Sequence, residues 1–163
     1  MRALIAVVVM GAAVGLVGCG KSGTRTYGTG SGSVTVSNSG DHMTATGSNG
    51  EKVEMSSGPG VTAKLPAFLP LYPGATVQTS VTGAGKDGDG GMVVFHTSAG
   101  AAAIVAFYKQ KAVAAGMADT MNMQQGATTM YVATNEKTKQ SVEVAATSAA
   151  DGSTVQLTWS NGK

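Results

Sequence analysis

The chain has 163 residues, room for one domain of ordinary size. Its 11 lysines and arginines face 9 acidic residues, and charged residues are only 12% of the total, so there is no strong field to recruit nucleic acid. A single cysteine excludes an intramolecular disulfide and a multi-thiolate metal site. Phe68, Tyr72, Phe95, Phe107, Tyr108, Tyr131 and Trp159 all lie beyond residue 60, which leaves Tyr27 alone before it. Large rings dominate cores through the area they bury, and this places the expected core in the C-terminal hundred residues.

Met1 and Arg2 supply a short positive start, and Ala3 to Val17 is an uncharged apolar run of signal-peptide length. It is shorter than the roughly 20 residues a spanning helix requires. Leu16-Val17-Gly18-Cys19 resembles the lipobox of bacterial lipoproteins. The resemblance implies that residues 1–18 are removed and that Cys19 becomes an acylated first residue, which holds the protein to the membrane at the bacterial cell envelope. In a Gram-negative organism it further implies the outer membrane, facing the periplasm. The alternatives are an export signal with an incidental cysteine or an internal thiol.

Residues 19–33 are rich in glycine, serine and threonine with little to bury, the composition of a flexible tether. Residues 34–60 hold three short alternating segments, SVTVS, HMTAT and KVEMS, separated by turn compositions. They read either as a meander of short strands or as a partly disordered stretch. Pro66, Pro70 and Pro73 then exclude helix and central strand, yet Leu65, Phe68, Leu69, Leu71 and Tyr72 call for burial. An apolar strap over the core, ending in a Pro73-Gly74 turn, meets both requirements.

The α+β domain is expected over 61–163. TVQTSVT and MVVFHT alternate as two strands with a loop at Gly83–Gly91 between them. That loop contains the letters G-x-G-x-x-G, but a strand follows where a dinucleotide fingerprint needs a helix. Ile104, Phe107, Tyr108, Lys111 and Ala112 recur at helical spacing, with Thr97 or Ser98 to cap the start and Gly116 to close the end. Four further alternating segments follow, and their short connections predict antiparallel pairing. The expected class is therefore α+β, an antiparallel sheet with one amphipathic helix on one face, in the order β-β-α-β-β-β-β. LPLYPGA followed by a hairpin, Ile104-x-x-Phe107-Tyr108 and Gly116-Met117 resembles small bacterial envelope lipoproteins with a YPGA turn and an FY…G helix end. That resemblance brings no catalytic residues.

No nucleophile elbow and no acid pair beside a histidine at a recognisable spacing is present, so an enzyme ranks last. The leading expectation is a non-enzymatic binding or accessory module with an envelope protein partner, without cofactor and without nucleic acid. The alternative is a Cu(I)-binding accessory, because thioethers are soft ligands and nine methionines occur. Its ligands would be Met117, Met121, Met123 and Met130, with His42 and Met43 as an extra pair. Against it, Met117, Met121 and Met123 share strand parity, as methionines used to fill a core would.

Overall fold

The computed structural model describes residues 23–29 and 32–162; the expected signal segment and Cys19 lie outside them. Ten strands and one helix follow in order: β1 (Gly23–Thr29), β2 (Gly32–Ser39), β3 (His42–Gly47), β4 (Lys52–Ser57), β5 (Thr76–Gly85), β6 (Gly88–Thr97), α1 (Ala101–Ala114), β7 (Ala118–Gln125), β8 (Thr128–Asn135), β9 (Gln140–Ala149) and β10 (Gly152–Gly162). All pairings are antiparallel, in one sheet ordered β1-β2-β3-β4-β5-β6-β10-β9-β8-β7. Two meanders thus join where β10 returns to lie beside β6.

The α+β expectation is corrected by this sheet. One ten-stranded antiparallel sheet dominates the molecule, and a single 14-residue helix is its minor companion. The reason lies in the N-terminal third. Residues 23–29, expected to be a free tether, form β1, and residues 32–57 supply β2 to β4, all continuous with β5. These strands cohere through backbone pairing and small polar cross-strand bonds rather than through large apolar residues. Thr24 Oγ1 lies 3.0 Å from Ser37 Oγ, Thr26 Oγ1 lies 3.1 Å from Thr35 Oγ1, and His42 Nδ1 lies 2.7 Å from Ser56 Oγ. The expected loop at Gly83–Gly91 is corrected too, since the strands run on to Gly85 and resume at Gly88.

The core sits on one face of the β5–β10 half. Val93 and Phe95 of β6, Val155 and Leu157 of β10, Val142 and Val144 of β9 and Tyr131 of β8 are fully buried. Helix α1 lies over β8 and β9 and buries Ile104, Val105, Tyr108 and Ala112. Its N-cap is Gly100 without a side-chain cap, so Thr97 and Ser98 do not serve as expected. At the other end Gly116 adopts φ 71, and the bonds Met117 N–H to Ala112 O (2.9 Å) and Gly116 N–H to Val113 O (2.9 Å) complete a Schellman motif. The proline strap joins β4 to β5 over the same face. Leu69 is its fully buried anchor, and Tyr72 meets Phe107 edge to face at 5.1 Å.

Candidate functional site

A groove of about 600 Å³ opens where the strap leaves the sheet, within the usual size of small-molecule sites. Thr82, Gly83 and Ala84 of β5 line it with small side chains, Lys64 to Ala67 of the strap lie along one side, and Trp159 and Asn161 of β10 stand in it. Strand alternation explains the pairing of roles. Val155, Leu157 and Trp159 share a face of β10, so the period that fills the core delivers the ring to the groove.

Trp159 is the chain's single tryptophan and is 8% exposed. It pairs with Gly91 across β6 and β10, and an added Cβ at residue 91 would stand 3.1 Å from Cε2 and Cζ2 of the ring. The indole therefore lies across a glycine that leaves it room. Its Nε1 is buried without a hydrogen-bond partner. An unsatisfied buried donor costs about 1–3 kcal/mol, so native structures rarely keep one without use. The other such atom among the described residues, the Tyr108 hydroxyl, lies by the Tyr72 backbone inside the core, and burial pushes its pKa up.

The charged wall is built from β4 and the strap. Lys52 and Glu54, two residues apart, share the strap-side face of β4, and Glu54 receives Lys52 at 2.5 Å and Lys64 of the strap at 2.5 Å. Hydrogen bonds from Lys52 and Lys64 hold the Glu54 carboxyl down at about 2. The strap is thus tied to the groove edge by an exposed ion pair of the kind that opens readily. A second polar cluster joins α1 to the far edge of the sheet. There Tyr131 donates to Asp119 at 2.6 Å and Lys109 pairs with the same carboxylate, which lowers the Asp119 pKa, through Lys109 first. Neither cluster sets a nucleophile beside a base.

Of the residues considered for copper, Met121, Met123 and Met130 share one face of β7 and β8, whereas Met117, His42 and Met43 lie apart from them. Met117 is buried at the helix end, whereas a register shift between Asp119 and Met121 turns Met121 and Met123 to the opposite face, 40% and 42% exposed. The shared parity expected of the three is therefore broken, and the core-filler reading holds for Met117 alone. Met123 and Met130 are direct cross-strand partners. Met43 lies on β3, seven strand positions from β7, and His42 points to the other face of that strand. Among the described residues no group of three or more histidines, cysteines or acidic residues could hold a metal ion.

The family described as START domain-like matches residues 77–159, just over half of the chain. The chain belongs to this START domain-like family. START-like domains are generally ligand-binding rather than catalytic. No curated protein and no solved structure matches the chain. The START-like match runs from β5 to β10, so Thr82, Gly91 and Trp159 fall inside it, while Lys52, Glu54 and the strap are added from outside. Between α1 and the sheet of the START-like region, Ile104, Tyr108, Tyr131 and Leu157 are all fully buried. Sequence reasoning missed the groove. Trp159 could have been singled out as a lone tryptophan on the buried parity of the last strand, but nothing local marks Lys52, Glu54 and Lys64 as neighbours.

Proposed function

We propose that this START-like protein is a non-enzymatic ligand-binding module of the bacterial envelope, anchored by lipid at Cys19, which takes a small ligand in the strap groove. The observation that carries the ligand site is the buried, unpartnered Nε1 of Trp159, a residue that lines a groove of ligand size. A ligand with an apolar body and a hydrogen-bond acceptor satisfies that donor and displaces water from Leu65, Pro66 and Ala84. Because the indole is nearly covered, entry displaces the strap at Lys64–Ala67 and strains the Lys64–Glu54 pair. The anchor is supported by the leader and by Leu16-Val17-Gly18-Cys19.

The single tryptophan makes the binding test direct. Titration with 1-anilinonaphthalene-8-sulfonate, an apolar probe carrying acceptor oxygens, is expected to quench Trp159 emission saturably, with energy transfer to the probe. Ala84→Leu, which fills the groove without adding a second indole, is expected to weaken that saturation several-fold. Binding that is unaltered by the filled groove would refute the site. For the anchor, metabolic labelling with a palmitate analogue is expected to mark the wild-type chain and to be lost in Cys19→Ser.

A further inference from the structure

The outer face of the sheet, opposite the helix and strap, carries almost every large apolar side chain that the protein exposes. Tyr27 (44%), Met43 (42%), Val53 (46%), Met121 and Met123 are all on it by register, and Val113 of α1 is the exception among the described residues. On β1 to β4 the two faces divide cleanly. The helix-side face presents Thr24, Thr35, Thr44 and Glu54, while the outer face presents Tyr27, Met43, Val53 and Met55. A cross-strand row continues from Met43 through Met55 and Val81 to Met92. No described segment covers it. Arg25 is the sole lysine, arginine or acidic residue on this face of β1–β6, two residues from Tyr27 on the edge strand. Contiguous exposed apolar surface of this kind marks contact with another phase or another molecule.

The start of the sheet says which. β1 begins at Gly23, four residues beyond Cys19, and four residues span at most about 14 Å. With no long tether, a lipid at Cys19 brings β1 down to the headgroups. We infer that the outer face of β1–β4 rests in the surface of the bilayer that holds the anchor, with Tyr27, Met43 and Val53 entering the interface and Arg25 reaching the phosphates. This rests on the lipid anchor at Cys19 proposed above. A tyrosine beside an arginine is the pair that suits a membrane interface, one ring amphipathic and one long side chain able to extend its charge toward water. Sheet twist of about 20–25° per strand turns the distant β7–β8 edge away from the same plane, so the contact is confined to the anchored end.

The test uses the mature lipidated chain in phosphatidylethanolamine–phosphatidylglycerol vesicles. Acylation consumes the thiol of Cys19, so Met43→Cys, Val53→Cys, Thr44→Cys and Met123→Cys each offer one site for an environment-sensitive fluorophore. Labels at 43 and 53 are expected to shift to the blue and to be quenched by doxyl-labelled lipid several-fold more than those at 44, on the opposite face, and 123, on the same face but at the far edge. Equal, weak quenching at all four sites in vesicle-bound protein overturns the proposal. A blue shift at 43 and 53 without lipid quenching also overturns it, in favour of a second protein chain on this face. A chain that fails to float with vesicles, and whose wild type takes a thiol label at Cys19, overturns the anchor and the surface with it.

Discussion

Replacing Gly91 by alanine isolates the contact on which the groove is built. The added Cβ would stand 2.5 Å from the Val81 carbonyl oxygen and 3.1 Å from Cε2 and Cζ2 of Trp159. Gly91 does not require positive φ, so the strain is steric and not conformational. The Val81 oxygen belongs to the backbone of a central strand, so relief requires β5 and β6 to part or the tryptophan to lift. Overpacking of this kind costs about 1–3 kcal/mol. For a domain near 150 residues that lowers the melting temperature by roughly 4–12 °C. Gly83→Ala is the control, since its nearest neighbour is the Gly90 carbonyl oxygen at 4.0 Å. Urea unfolding followed by Trp159 emission reports both effects: Gly91→Ala lowers the midpoint at unchanged slope and shifts native emission to the red, while Gly83→Ala does neither. Equal midpoints and equal native spectra for the two variants would refute the packing argument.

Gly116→Ala places a Cβ at φ 71 in the Schellman turn and is expected to cost about 1–2 kcal/mol by thermal unfolding. A neutral result would mean that the helix does not end on that turn. The Glu54 carboxyl is held near 2 against an ordinary 4.5, so its charge stabilises the fold above pH 4.5, and that contribution is lost as pH falls from 4.5 toward 2. Glu54→Gln should flatten this acid limb in a plot of unfolding midpoint against pH, and an unchanged limb would show that the lysine pairs do not form in solution. Met121→Leu with Met123→Leu is expected to change stability by no more than about 0.5 kcal/mol, because both side chains are half exposed on the outer face. A loss several times larger, measured by denaturation, would place them in a core.

The elements carrying large side chains were the legible ones. Ile104, Tyr108 and Ala112 at helical spacing and Gly116 beyond them locate α1, because a helix needs one apolar stripe and a left-handed stop. β1 to β4 were harder, since a strand of threonine, serine and glycine is written in backbone pairing that composition does not record. What the alternation of Val34, Val36, Met43, Val53 and Met55 does record is a face. Sequence cannot say on which side of the sheet that face lies, because side depends on register with β5, and register is a long-range property. The same limit hid the bulge that separates Met117 from Met121 and the approach of Lys64 to Glu54. In the C-terminal half the apolar face turns inward to the helix and strap, and in the N-terminal half it turns the other way. One sheet therefore offers a groove on one side and an apolar surface on the other. A ligand site and a membrane-facing surface can then act on opposite faces without competing for the same side chains.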